Sequence, residues 1–389
     1  MRSKVIAARL IAAKLFAAVT VSVVVAGMVC VNRPVQAGEQ PSVSGYKVLE
    51  PIRHGSLTVF PVVASKSYST GEFITLDEGL RSGDVVVTEY GNVRGLMRRR
   101  STPAVQRESG AEVNRLVLVN NSKRPLLLLA GEIVTGGKQD RVIGKDRIVP
   151  PESDPVDLNV FCVEPGRWVA TSDHFGTSGA SYGGPINGAL PTTLMAQPSV
   201  RAKAMADKDQ NQVWAEVRKQ QQSMTVEVAG AAQVASADEI RSTSSYARVM
   251  ENKDVKQKVD EIAAPIQHNY ESLIKQLRDR KAVGVVVAVN GRIIWADLFA
   301  STELLEKYWP KLVRSYASEA VVTRAKGGEA SLAQAEAFLS NMEGRRETIE
   351  SEPGVYRHTE VNGDGFKAFA LTSLLPKTGF DVHVAKMAE

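Results

Sequence analysis

A glycine-rich, charged loop at residues 136–141 carries the strongest chemical signal in the sequence. Glycines let a ligand approach the backbone N–H groups, and Lys138 and Arg141 can neutralise the charge of an anion there. The loop is not a P-loop, because an extra glycine precedes Lys138 and Gln139 replaces the residue that would hold magnesium. A tight turn with solvated charges is the alternative. The candidate ligand-binding residues are Gly136, Gly137, Lys138, Gln139, Arg141, Arg167 and Trp168.

Two glutamates, Glu132 and Glu164, are the candidate catalytic residues. Each follows a separate predicted strand, and neighbouring strands would bring the two carboxylates together or place one beside Arg141 or Arg167. A carboxylate in such a pair can act as a general acid or base. A structural ion pair with an arginine is the alternative, since ion-pair networks also perturb acids. Whether the protein is an enzyme therefore stays open.

The remaining motifs predict no metal site and no cofactor. Residues 179–183 match the G-x-S-x-G nucleophile elbow, but the required strand before it and helix after it are missing. A nucleophile there, with the nearby His174 as its base, is the alternative. No close histidine pair and no zinc, haem or dinucleotide fingerprint is present. The histidines are His54, His174, His268, His358 and His383.

The first 37 residues have the features of a secretory signal peptide. Basic residues precede an uncharged apolar run at residues 15–31, and Val35-Gln36-Ala37 resembles a cleavage site. We expect cleavage after Ala37 and export to the periplasm or the extracellular space. An uncleaved N-terminal membrane anchor is the alternative, because the run is long for a signal peptide. No membrane span is predicted after cleavage.

The charge balance argues against a nucleic-acid partner. The chain has 48 basic and 43 acidic residues, and the leader contains five of the basic residues and none of the acidic ones. The expected mature chain is therefore balanced, whereas a nucleic-acid footprint needs a basic excess on the folded domain. We predict no nucleic-acid partner, and the oligomeric state stays open.

Two apolar segments are predicted to form the centre of a sheet. Val113–Val119 and Leu126–Val134 flank a polar turn, so we expect them to be antiparallel partners. Leu158–Val163 is a further strand, and it places Glu164 and Arg167 at its end.

Turn and cap signals predict several other elements. The dipeptide Asn290-Gly291 between two apolar strands predicts a hairpin with a type I′ turn, and a second hairpin is predicted across residues 362–365. Thr75 and Glu78 form a capping-box pattern that opens a short helix, which Gly83 ends.

The middle of the chain is predicted to be helical. Residues 200–222 indicate a polar helix, and residues 223–242 read as a connection of small residues. Apolar residues recur at helical spacing from Val255 to Leu277, which predicts a long amphipathic helix. Pro265 should kink or split that helix.

Residues 38–389 are predicted to form a single α+β domain, with a Gly/Ser-rich loop at 170–198 and a helical segment at 199–281. Strands, then helices, then hairpins follow one another without regular βαβ alternation. We therefore expect a mainly antiparallel β-sheet core with a helical insertion and a C-terminal hairpin region. Cys162 is the only cysteine after the leader, which excludes an intramolecular disulfide in the mature chain and predicts a buried thiol.

Several segments together resemble the domain family that is named for its association with ADP-ribosylglycohydrolases and rhodanese-phosphatases. The resemblance runs from about Leu57 to Ala385, and its most specific parts are AGE…GGKQDR and CVEPGRW. It implies a link to ADP-ribose or nucleotide metabolism, but it supplies no established activity. The other segments are TVFPV, ITLDEGL, GVVVAVNGRIIWADLF and LLEKYWPKLVRSYA.

Two functions follow from these observations. The first is an exported domain that binds or processes a phosphate-bearing small molecule, nucleotide- or ADP-ribose-like, at the loop of residues 136–141. The alternative is a non-catalytic extracytoplasmic binding or scaffold domain, in which the same charges only hold strands together.

Overall fold

Antiparallel strand pairing dominates the computed structural model. The structure describes residues 45–89, 114–167, 169–172, 174–176, 193–230, 234–277, 281–323 and 327–389. The predicted leader, the G-x-S-x-G match and Trp168 lie outside these residues. The described residues belong to one compact unit that runs from residue 43 to residue 389. The predicted α+β class, with its mainly antiparallel sheets, is confirmed.

The described residues contain 19 strands and eight α-helices. The strands are β1 (Tyr46–Val48), β2 (Ile52–His54), β3 (Leu57–Ala64), β4 (Ile74–Thr75), β5 (Val85–Glu89), β6 (Arg115–Asn120), β7 (Leu126–Leu128), β8 (Glu132–Gly136), β9 (Arg141–Ile143), β10 (Arg147–Val149), β11 (Val156–Cys162), β12 (His174–Gly176), β13 (Leu194–Met195), β14 (Lys281–Val289), β15 (Arg292–Phe299), β16 (Gly344–Glu352), β17 (Tyr356–Gly363), β18 (Phe366–Ser373) and β19 (Asp381–Ala388). The helices are α1 (Leu76–Ser82), α2 (Pro198–Ala202), α3 (Gln210–Gly230), α4 (Val234–Ser242), α5 (Tyr246–Glu251), α6 (Lys253–Gln276), α7 (Thr302–Val322) and α8 (Leu332–Ser340).

Six of these strands close into an antiparallel barrel. Its strands follow the order β5, β6, β11, β9, β8 and β12, and pairing between β12 and β5 completes the ring. Alternate side chains fill the interior, as expected for so few strands. These include Val85, Val87, Leu118, Val160 and Phe175. The barrel therefore has a packed core, and polar chemistry can be placed only at its ends.

The predicted pairing of the two central apolar segments is wrong. Strand β6 pairs with β5 and β11 inside the barrel, whereas β7 pairs with β10 and β4 in a separate three-stranded sheet. The segment from Leu126 to Val134 does not form one strand, because Gly131 adopts a left-handed φ of 96° between β7 and β8. The turn at residues 120–125 therefore sends the chain from one sheet into another.

Besides the barrel and the three-stranded sheet, the described residues form a nine-stranded antiparallel sheet. Both predicted hairpins lie in this large sheet. Asn290 and Gly291 have φ values of 50° and 78°, the left-handed values that a type I′ turn requires. The second hairpin pairs β17 with β18 across the turn at Asp364 and Gly365. Helix α7 packs on β14 and against α6, and its Trp309 and Tyr316 belong to the largest apolar cluster.

The helix predictions are confirmed in part. Helix α1 has the predicted capping box at Thr75 and ends at Gly83 in the left-handed conformation. The predicted connection at residues 223–242 is wrong, since α3 continues to Gly230 and α4 covers most of the remainder. Helix α6 continues through Pro265 without being split. Among the described residues, no helix is both long and apolar enough to cross a membrane.

Candidate functional site

The loop at residues 136–141 connects β8 to β9 at one end of the barrel, which we call the barrel mouth. Two glycines make this connection possible, because Gly136 and Gly137 have φ values of 124° and 49°. A Cβ atom on Gly137 would lie 2.3 Å from Cζ of Phe175, and one on Gly136 would lie 2.9 Å from the carbonyl oxygen of His174. The glycines therefore allow close packing against β12 as well as an unusual backbone conformation.

Carboxylates of the protein accept hydrogen bonds from the backbone of this loop. The N–H of Gly136 donates to Oδ1 of Asp140 at 3.1 Å, and the N–H of Lys138 donates to Oε1 of Glu89 at 2.7 Å. The N–H of Asp140 donates to Oε2 of Glu164 at 3.1 Å. Three N–H groups of the predicted anion loop thus already have anionic partners within the chain.

Arg167 joins the end of β11 to the same loop. Its Nη2 lies 2.6 Å from Oε2 of Glu164 and 3.5 Å from Oδ1 of Asp140, and its Nη1 donates to the carbonyl of Gly137 at 2.9 Å. Burial raises the pKa of Asp140, and the neighbouring charge of Glu164 raises it further. The glycine loop and the CVEPGRW segment are therefore two halves of one polar cluster, as their chemistry suggested.

Arg141 points into the barrel mouth. Its side chain is completely buried, and its Nη1 donates to the carbonyl of Gln139 at 2.7 Å. Its Nε and Nη2 have no hydrogen-bond partner in the described part of the chain, and neither has Oε2 of the buried Glu89. Burial lowers the pKa of Arg141, although a guanidinium stays charged at neutral pH. Nε and Nη2 form one edge of the guanidinium, the edge that binds a carboxylate or phosphate through two parallel bonds.

Cys162 completes the barrel mouth. It pairs in register with Arg141 across β11 and β9, and the predicted burial of its thiol is confirmed. Its Sγ accepts a hydrogen bond from the N–H of Glu164 at 3.3 Å, and burial raises the pKa of the thiol. Gln139 donates from Nε2 to the carbonyl of Glu164 at 3.0 Å. Lys138 is only partly buried and lies at the rim.

Glu132 lies apart from Glu164, so the structure does not bring the two candidate catalytic carboxylates together. Glu132 begins β8 and the glycine loop follows its other end, about 13 Å away at the usual rise of a strand. Lys311 Nζ binds Oε1 of Glu132 and lies 2.6 Å from Oδ2 of Asp77. Burial raises the pKa of Glu132, and the charge of Asp77 adds to the effect against the opposing charge of Lys311.

Glu132, Lys311 and Asp77 form one buried network. A second buried network, which the sequence did not predict, links the barrel region to the large sheet. Arg201 makes two parallel bonds to Asp297, of 2.9 and 3.0 Å, and Tyr316 also donates to Asp297. His383 lies 2.6 Å from Asp146 through Nδ1 and 3.2 Å from Asp297 through Nε2. All five side chains of this network have no exposed surface.

The AGE segment that follows β7 explains why these two buried networks lie so close. The N–H of Ala130 donates to Oδ1 of Asp146 at 2.7 Å. A Cβ atom on Gly131 would lie 2.5 Å from Cγ of Arg201, so a glycine is needed beside that arginine. Glu132 then binds Lys311. Of these three consecutive residues, Ala130 and Gly131 contact the network of Arg201 and Asp146, and Glu132 belongs to the network of Lys311.

One sequence signal points to the residues of these two networks that the motifs did not predict. Asp297 interrupts an apolar strand and Lys311 lies on the apolar side of a helix that also presents Tyr308 and Leu312. A charge at a core position needs a buried partner, because its desolvation is otherwise too costly. The identity of that partner, however, is not encoded nearby in the sequence.

The described residues contain no group of three or more histidine, cysteine, aspartate or glutamate side chains that could hold a metal ion.

A family model described as the ARG and Rhodanese-Phosphatase-superfamily-associated Protein domain matches residues 45–386. No curated protein and no solved structure gives a significant match. The match spans the barrel, the helices and the large sheet, and it includes the glycine loop and its partner segment. The chain therefore belongs to the ARG and Rhodanese-Phosphatase-superfamily-associated Protein domain family.

Proposed function

We propose that this protein binds a small molecule through a phosphate or similar oxyanion at the barrel mouth. The observation that carries the proposal is the free Nε–Nη2 edge of Arg141, which is buried and held in place through Nη1. Charge-assisted bonds to such an edge are among the strongest that proteins make. The family's association with ADP-ribosylglycohydrolases supports a nucleotide- or ADP-ribose-like ligand, in which a phosphate is the recognised group.

Binding is favoured over catalysis by the surroundings of Glu164. Its carboxylate is bound by Arg167 at 2.6 Å and by the N–H of Asp140 at 3.1 Å. A carboxylate held in this way shapes the loop and is poorly placed to exchange a proton with a ligand. In this proposal Glu164, Asp140 and Arg167 position the loop, while Arg141 contacts the ligand and Lys138 lies at the rim.

A non-catalytic scaffold is the second candidate, and one observation favours it. The N–H groups of Gly136, Lys138 and Asp140 all donate to carboxylates of the chain, so an incoming anion would find these donors occupied. In a scaffold, a water molecule would satisfy Arg141 in place of a ligand.

The ligand proposal predicts that the Arg141→Gln substitution weakens phosphate-dependent binding. Isothermal titration of the folded protein with inorganic phosphate, ribose 5-phosphate and ADP-ribose measures the affinities. Because the substitution removes a two-bond charged contact, we expect the dissociation constant of the best ligand to rise at least about tenfold. The Arg345→Gln variant is the matched control, since the Arg345 side chain is 82% exposed.

Circular dichroism and the urea midpoint show whether the Arg141→Gln protein is folded, and Arg141→Lys provides a second variant that keeps the charge but not the two-bond edge. If none of the three compounds binds the unmodified protein, the scaffold is the better description. Equal affinity of Arg141→Gln and the unmodified protein would likewise exclude Arg141 as the ligand contact.

We also propose that the protein is exported, on the basis of the leader at residues 1–37. Expression of the full chain in a Gram-negative host, followed by fractionation and mass spectrometry of the intact protein, tests this. We expect a periplasmic product that begins at Gly38. A full-length product in the membrane fraction indicates the N-terminal anchor, and a full-length product in the cytoplasm contradicts export.

A further inference from the structure

Glu89 and Arg141 approach the same space from opposite sides of the barrel mouth. Side chains alternate along a strand, so Glu89 faces the barrel interior together with Val87, and Arg141 does so together with Ile143. Both residues lie at the same end of the barrel, where β5 stops and β9 starts. Oε1 of Glu89 accepts a hydrogen bond from the N–H of Lys138, and Nη1 of Arg141 donates to the carbonyl of the next residue, Gln139, so both side chains lie against the same part of the loop.

The unused atoms of these two side chains have opposite requirements. Nε and Nη2 of Arg141 are donors without an acceptor, and Oε2 of Glu89 is an acceptor without a donor, within the described part of the chain. The two side chains make no direct hydrogen bond with each other, although both are buried. Buried groups of this kind require partners, and leaving several unmatched in one place is costly.

We propose that Glu89 selects ligands that carry a hydroxyl group close to the phosphate, as glycerol phosphates do at the adjacent carbon and ribose 5-phosphates do at the sugar ring. The inference rests on the proposed function, because it assumes that the phosphate contacts the free edge of Arg141. The ligand hydroxyl donates to Oε2 of Glu89, so one molecule satisfies both side chains. Polyol phosphates and sugar phosphates belong to this chemical class, whereas inorganic phosphate and simple alkyl phosphates lack the hydroxyl.

The contacts around Glu89 leave room for only a small part of the ligand to enter the barrel mouth. Oε1 of Glu89 is occupied by the N–H of Lys138 at 2.7 Å, which fixes the carboxylate and leaves only Oε2 for a ligand. Below this level the barrel is filled by Val87, Ile143 and Val160, so a ligand cannot extend deeper. The site therefore recognises a phosphate and its nearest hydroxyl, and the rest of the ligand stays outside the barrel.

The test compares glycerol 3-phosphate with n-propyl phosphate, which have the same carbon skeleton and charge but differ in hydroxyl groups. Isothermal titration of the folded protein should show about tenfold tighter binding of glycerol 3-phosphate, the effect of one charge-assisted hydrogen bond. In Glu89→Gln, which keeps the acceptor for the Lys138 N–H, we expect the preference to fall below about threefold. The Glu347→Gln variant, altered at a side chain that is 58% exposed, should keep the full preference.

The outcomes separate this inference from the proposed function. If neither compound binds the unmodified protein, both proposals fail. If the two compounds bind with equal affinity, the phosphate site stands and the role of Glu89 is excluded. An unchanged preference in Glu89→Gln also excludes Glu89, and it would show that another group recognises the hydroxyl. The comparison on the unmodified protein needs no variant, so a poorly folded Glu89→Gln protein does not prevent a decision.

Discussion

Arg201→Met is expected to destabilise the protein by about 3–5 kcal/mol, the usual cost of removing one partner from a buried ion pair. The substitution leaves Asp297 buried without the two bonds of 2.9 and 3.0 Å that it receives from Arg201. Burial alone would raise the pKa of Asp297, but Arg201 and His383 hold it far below its usual range. The free energy of unfolding in urea at neutral pH measures the loss.

The exposed ion pair between Arg314 and Asp260 provides the control for this prediction. Its side chains are 51% and 41% exposed, so Arg314→Met should cost at most about 1 kcal/mol. Adding Asp297→Asn to Arg201→Met removes the unpaired charge and should restore part of the lost stability. A loss of less than about 1 kcal/mol in Arg201→Met would show that solvent reaches Asp297 and that the pair is not a buried one.

His383 is expected to make the stability fall as the pH rises from 6.5 to about 9. Burial opposes the charge of His383, but Asp146 and Asp297 raise its pKa to about 9. Because this folded-state value is above the usual one, the stabilisation is fully present below pH 6.5 and is lost as the pH passes through about 9. A shift of this size corresponds to about 3 kcal/mol.

Asp146 limits the same stabilisation on the acidic side. Burial would raise its pKa, but the charge of His383 holds it below the usual range. The stabilisation from Asp146 is therefore present above about pH 4 and is lost as the pH falls through the lower folded-state value. The network as a whole should contribute most between about pH 4 and 6.5.

Unfolding in urea at half-unit pH steps tests this dependence, with the double variant Asp146→Asn/His383→Gln as the comparison. The double variant removes both charges together, so neither is left buried alone. We expect the difference in stability between the two proteins to decrease by about 3 kcal/mol between pH 6.5 and 9. His54→Gln, altered at an exposed histidine, should follow the unmodified protein. A pH-independent difference would show that His383 stays neutral.

Much of the local structure followed from short-range signals in the sequence. The capping box of Thr75 and Glu78 and the turn at Asn290-Gly291 are present as predicted, since each depends on residues only one to three positions apart. The pairing of the glycine loop with Glu164 and Arg167 was also within reach, because a strand end delivers each of them. The antiparallel α+β class followed from the order of the elements.

The choice of partners over long distances depends on how the whole chain packs. Nothing near β6 and β7 shows that they enter different sheets, because both are equally apolar and only burial against the rest of the chain distinguishes them. Arg201 and Asp297 are 96 positions apart, and His383 is 237 positions from Asp146. The glycine loop was identifiable by its own residues, but the direction of Arg141, into a barrel that closes only when β12 meets β5 and β8, could not be predicted. Residue type and local spacing identify which side chains are chemically capable, and long-range packing determines which of them are buried together.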